Sequence, residues 1–80
     1  MKVTKIDIDK SVAKGNLLAN LTIVLDYDFE LHNIQLLTGK KGEYMNFPID
    51  STGKFIMYPL NEETRLYLLN EVLKKYYSLD

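Results

Sequence analysis

Leu17, Ala19, Leu21, Ile23 and Leu25 stand at every second position of one stretch, and this alternation restricts the fold more than any other feature of the chain. Side chains alternate across a strand, so an extended backbone puts all five on one face. The spacing predicts a strand with one dry side. Asp26-Tyr27-Asp28 has the chemistry of a reversal, and Phe29–Leu37 reads as a second extended apolar run. Together they predict the central hairpin of an antiparallel sheet. In the second run Phe29 and Leu31 fall on odd positions but Ile34 and Leu36 on even ones. One extra residue near His32-Asn33 puts all four on one face, so a β-bulge is predicted there.

The flanking segments extend this pattern. Thr4, Ile6 and Ile8 alternate with Lys5, Asp7 and Asp9, as in a strand with one charged side, and Lys14-Gly15-Asn16 is the turn that leads into the next strand. Thr38-Gly39-Lys40-Lys41-Gly42 is a glycine-bracketed loop, followed by a short strand, Tyr44–Phe47, that stops at Pro48. Asp50-Ser51-Thr52-Gly53 is a further turn, Phe55–Tyr58 a further strand, and Pro59 its end. The period then changes. Asn61 is a good N-cap, Glu62 and Glu63 suit a helix start, and Lys74 and Lys75 suit its end. Leu66, Leu69, Val72, Leu73 and Tyr76 form the helical stripe of a segment of roughly 16 residues. The expected fold is α+β: a meander of about five antiparallel strands with one C-terminal helix packed on one face.

Residues 1–80 read as a single domain, one that buries only roughly 60–65% of the surface its unfolded chain exposes. With no cysteine, neither disulfides nor thiolate metal sites are available. The N-terminus has no apolar block of the signal-peptide kind, and no apolar run is long enough to span a bilayer. A soluble cytoplasmic protein is expected. The net charge is −1 at pH 7, whereas phosphate-binding domains are usually basic. Only residues 31–59 carry an excess of cations, three Lys against two acids. Any phosphate site must therefore be local.

Leu25-Asp26, Phe29, Leu31-His32 and Ile34, then Phe47-Pro48, Gly53, Phe55, Pro59, Thr64-Arg65, Val72-Leu73 and Tyr76 occur in an order and approximate spacing that resembles the SpoVG family of bacterial septation and sporulation regulators. The resemblance covers nearly the whole chain. It implies a sheet with one C-terminal helix, a homodimer built through strands, and DNA and RNA binding in gene regulation. Relatives carry a Lys/Arg cluster just after the proline that matches Pro48. Here Ile49, Asp50 and Ser51 follow it, so that cluster carries over to no residue of this chain.

The candidate nucleic-acid contacts are Lys40, Lys41, Lys54 and Arg65. Lys40 and Lys41 at a loop tip suit phosphate oxygens or simply keep a hairpin solvated. Lys54 borders the loop that is basic in the family, and also suits an exposed edge-strand lysine. Arg65 matches the family's Thr-Arg pair. Its guanidinium fits phosphate, or a carboxylate near the helix start. His32 beside Glu30 suggests a general base, but no Cys is present and Ser11, Ser51 and Ser78 fall in turn or terminal contexts. A hydrogen-bonding histidine beside the bulge is the better reading, and no enzyme is expected. Asp26, Asp28 and Glu30 lack the glycine and distal glutamate of a calcium loop, so no metal and no cofactor is expected. Phe29, Phe47 and Phe55 are assigned to the core, while Tyr27, Tyr44, Tyr58 and Tyr67 are freer. Leu18, Val24 and Leu37 lie opposite the core face and are candidates for a homodimer interface. The expected partners are a second copy and DNA or RNA, with no membrane and no small-molecule substrate. The alternative is a protein-interaction module of the same fold.

Overall fold

The computed structural model describes residues 1–78. Its strands are β1 (Val3–Asp9), β2 (Leu17–Leu25), β3 (Phe29–Gly39) and β4 (Gly42–Asn46), followed by helix α1 (Glu62–Ser78). The sheet is an antiparallel meander in the order β1-β2-β3-β4. Among the described residues no helix is long and apolar enough to cross a membrane.

The bulge lies where the apolar phase slips. Leu21 pairs with Ile34 and Ile23 with Leu31, so β3 carries one more residue than β2 over this interval, and Asn33 turns to φ +60°. Both Ile34 and Leu36 thereby reach the core. A second irregularity was not anticipated. Leu17 pairs with Leu37 but Ala19 with Leu36, which places the extra residue, Leu18, in β2. Leu18 consequently packs against the core, and Leu17 pairs with Leu37. Between β1 and β2 a 3-10 turn, Lys10–Val12, is capped by the Asp9 carboxylate, which accepts from the Ser11 amide.

The sheet has four strands, not five. Phe55–Tyr58 forms no strand, and only an isolated Ile49–Phe55 bridge connects the two sides of its turn. Beyond that bridge the Ile56 amide bonds to the Pro48 carbonyl, and the turn is closed on itself. The Asp50 carboxylate accepts from the Thr52 and Lys54 amides and the Thr52 hydroxyl, while Pro48 and Pro59 bound the segment. Those contacts hold the carboxyl of Asp50 below the usual aspartate range, the Thr52 hydroxyl being the main cause.

The core consists of Ala19, Leu21 and Ile23 from β2, Ile34 and Leu36 from β3, and Leu69 and Val72 from α1. Leu21, Ile23, Ile34, Leu36 and Val72 are its largest fully buried side chains, each stabilising the fold by about 1.5–3 kcal/mol. Asn61 caps α1 as expected, its side-chain oxygen accepting from the Thr64 amide at 2.8 Å. Leu68, Leu69 and Val72 are buried, and Leu73 and Tyr76 pack beside them. Leu66 departs from the predicted stripe, being 43% exposed. Tyr67 fastens the helix to the sheet, since its hydroxyl accepts from the Val3 amide at 3.0 Å. Of the three phenylalanines only Phe47 packs on the core; Phe29, directly after the turn, is 66% exposed, and Phe55 in the strandless segment is 55% exposed.

Candidate nucleic-acid interface

The β3–β4 hairpin closes with Gly39 paired to Gly42, which leaves Lys40 and Lys41 as its two-residue tip. The two glycines act differently. Gly42 adopts φ +113°, a conformation side chains resist. Gly39 has no such φ, but a Cβ there would come within 3.3 Å of Tyr44 Cε1. Its missing side chain is what lets the Tyr44 ring lie against the hairpin backbone.

A groove of about 610 Å³ runs between this hairpin and the first turns of α1. It is lined by Lys40, Lys41, Tyr44, Arg65, Leu66 and Leu69, with Glu43 contributing one acid. Three of the four predicted cations therefore meet there. Lys54 lies outside it, at the foot of the Asp50 turn, where its backbone exchanges hydrogen bonds with Asp50.

The three groove cations are not equivalent. Lys40 and Lys41 make no ion pair among the described residues. Arg65 is held by Glu62 one turn back, its Nε donating to Oε2 at 3.2 Å and its Nη2 to Oε1. Its positive charge is partly answered within the helix, and the lysines are the hands left for an anion. Elsewhere Lys5 faces Asp7 at 3.7 Å, Lys74 meets Glu71 at 2.9 Å, and Lys10 lies 4.5 Å from the centre of the Tyr76 ring. The Glu71 contact raises the Lys74 ammonium above its usual range, chiefly through the hydrogen bond.

His32 sits beside the bulge in a polar cluster, its Nε2 3.1 Å from Glu30 Oε2 and its Nδ1 3.5 Å from Thr22 Oγ1. Asp26 is occupied by the turn, its carboxylate accepting from the Lys2 amide. No group of three potential metal ligands occurs among the described residues. The sheet face opposite the helix carries Val24 and Leu37, both half-buried, along with polar Thr22, Glu30 and His32. Leu18 packs on the core side instead.

Sequence reasoning missed Tyr44 and Leu66 as groove residues. Tyr44 had a readable signal: an aromatic residue two positions after the second glycine of a hairpin sits close to the first one, where only a bare backbone leaves room for its ring. Leu66 had none, because its heptad position fits a core stripe equally well.

The sequence profile of the SpoVG family matches residues 1–78. A relative from Agathobacter rectalis bearing the septation-protein name SpoVG is 32% identical over 80 residues, covering 95% of this chain and 92% of that protein. One of the same name from Caldicellulosiruptor bescii is 32% identical over 80 residues, with 95% and 91% covered, and one from Bacillus cytotoxicus is 31% identical over 83 residues, with 99% and 86% covered. The matched span takes in all four strands and the helix, and the chain therefore belongs to the SpoVG family.

Proposed function

We propose that this protein is a small cytoplasmic regulator, not an enzyme, that binds DNA or RNA as a homodimer in septation- or sporulation-related gene expression. The observation that carries the nucleic-acid reading is the convergence of Lys40, Lys41 and Arg65 on one groove. Net charge does not favour it, so the binding is local and modest, and pairing two such grooves in a dimer raises the potential and gives avidity. Large apolar residues left on the surface, Ile49, Phe55, Ile56, Tyr58 and Leu60, support a second copy as partner. The same exposed segment, following Pro48 where relatives are basic, favours the second reading, a protein-interaction module of the same fold.

Fluorescence anisotropy of labelled DNA and RNA, at low and near-physiological salt, separates the two. Phosphate binding falls steeply as salt rises, and an apolar protein interface does not respond in that way. A Lys40/Lys41 double alanine variant is expected to lose binding, while Lys54→Ala retains most of it. Absence of binding at low salt leaves the protein-interaction reading. Analytical ultracentrifugation at micromolar concentration tests the dimer, and a single 9.3 kDa species removes it.

A further inference from the structure

The sheet face turned away from α1 carries a row of polar side chains that the fold itself does not use. Asp9 pairs with Asn20, Asn20 with Gln35 and Gln35 with Asn46, so the row crosses all four strands. Their strand neighbours Ala19, Leu21, Ile34 and Leu36 lie in the core, which places the row on the opposite face. The Asp9 carboxylate is taken by Ser11, and towards the β2–β3 turn Thr22 and His32 stand 3.5 Å apart. Asn20, Gln35 and Asn46 make no side-chain hydrogen bond among the described residues, and none of them has a polar atom shut away from solvent there. Asparagine is poorly suited to strands. Three adjacent carboxamides with free donors and acceptors point to a ligand.

The surroundings of the row narrow that ligand. On its hairpin side Leu37 pairs with Tyr44, whereas Leu36 and Met45 face the core, so the Tyr44 ring lies on the same face as the carboxamides. Beyond Tyr44 come Lys40 and Lys41, and the Lys14–Asn16 turn is tied to that end, the Thr38 amide donating to the Asn16 carbonyl at 2.9 Å. None of these three lysines makes an ion pair among the described residues. Asp26, Asp28 and Glu30 lie at the other end of the strands. The carboxamides thus sit beside a cationic end, where phosphate is favoured. Carboxamides both donate and accept, as base edges do. A duplex keeps those edges inside grooves. The row crosses three strand spacings, about 14 Å, and does not enter a major groove of about 12 Å. A single strand turns its base edges outward.

We infer that this open sheet face reads the bases of a single strand, Gln35 and Asn46 hydrogen-bonding to base edges beside the Tyr44 ring while phosphates meet Lys40, Lys41 and Lys14. The inference rests on the nucleic-acid reading above and adds the form of the ligand, the face that takes it and the residues that distinguish bases. Asp7 and Asp9 on β1 repel phosphate, which keeps the strand on the β3–β4 half of the face. Arg65, on the helix side, stays outside this path.

The test uses the full chain at low salt and short single strands of adenine, cytosine and uracil nucleotides, an abasic strand and a duplex of equal length. In anisotropy, wild type is expected to bind the preferred single strand about tenfold tighter than the least preferred one. A Gln35→Met/Asn46→Ala double variant loses that preference and keeps its abasic binding, whereas Lys14→Ala weakens every strand alike. In NMR spectra of the wild type, the side-chain NH2 signals of Gln35 and Asn46 shift on adding the preferred strand, while that of Asn70, exposed on α1, stays in place. Equal affinity for the three base-bearing strands, a preference for duplex, or shifts confined to α1 overturns the inference and leaves the nucleic-acid reading standing. Failure to bind any probe overturns both. The comparison of bases and the NMR shifts need only the wild-type chain, so a variant that misfolds does not obscure the answer.

Discussion

The two hairpin turns at opposite ends of β3 reverse the chain by different means. At the β2–β3 turn, Asp26 and Tyr27 both adopt positive φ, +53° and +60°, without a glycine. Each left-handed residue costs about 1 kcal/mol, and hydrogen bonds offset it. Asp28 donates to the Leu25 carbonyl, Asp26 exchanges hydrogen bonds with Lys2 through backbone and carboxylate, and the Tyr27 amide reaches the Thr4 hydroxyl. At the β3–β4 turn, Gly42 takes the positive φ and Gly39 leaves room for the Tyr44 ring, and the tip lysines make no ion pair among the described residues. A turn held by its side chains has spent them. A turn made by glycines leaves its neighbours available, and the candidate site lies at this second kind.

That contrast can be broken from the strand that joins the turns. Ile34, fully buried just past the bulge, fixes the register on which both depend, so Ile34→Ala is expected to destabilise the protein by about 2–4 kcal/mol, read as a lower urea midpoint. Gly42→Ala attacks the glycine turn alone: a side chain at φ +113° lowers stability by about 1–2 kcal/mol in the same titration. The reciprocal change has the opposite sign. Tyr27→Gly gives the first turn the Asp-Gly pair that positive-φ turns prefer and raises thermal stability by about 0.5 kcal/mol. A loss of stability there would show that Tyr27 does more than occupy the turn.

The smallest effect concerns pH. Asp50 and Asp9 have carboxyls held below the ordinary aspartate range, chiefly by the Thr52 and Ser11 hydroxyls respectively. A lowered folded value means that the stabilisation is present above the ordinary range and is lost as pH falls through the lowered value. In an NMR titration both carboxyls should titrate below ordinary aspartate, and the Thr52 and Lys54 amides should exchange faster with solvent once Asp50 is protonated.

How far these features could be read beforehand follows their sequence range. The phase slip between Leu31 and Ile34 announced the bulge because burial on one face leaves the backbone no other way to accommodate it. Asn61 announced the helix start because capping is a contact between residues three apart. Leu18 was assigned to the wrong side because the second irregularity leaves no phase slip among small and large apolar neighbours. Phe55–Tyr58 reads as a strand because apolar content is the same in a strand and in a short arm between two prolines that forms only one bridge, Ile49 to Phe55, with the Ile56 amide bonded to the Pro48 carbonyl. Lys54 was grouped with Lys40 and Lys41 by charge alone, and charge does not say which loop tips meet.

By itself, then, the sequence determined the meander of β1 to β4, the bulge at His32-Asn33, the capped C-terminal helix and the family, all of which rest on local periodicity and on chemistry between residues close along the chain. Only the tertiary structure decided that the arm after Pro48 adds no fifth strand, that Leu66 faces outward, and that Lys40, Lys41 and Arg65 share a groove with Tyr44 while Lys54 does not. Those outcomes depend on which surfaces are left uncovered once the helix has settled on the sheet, and that is a property of packing between segments distant along the chain.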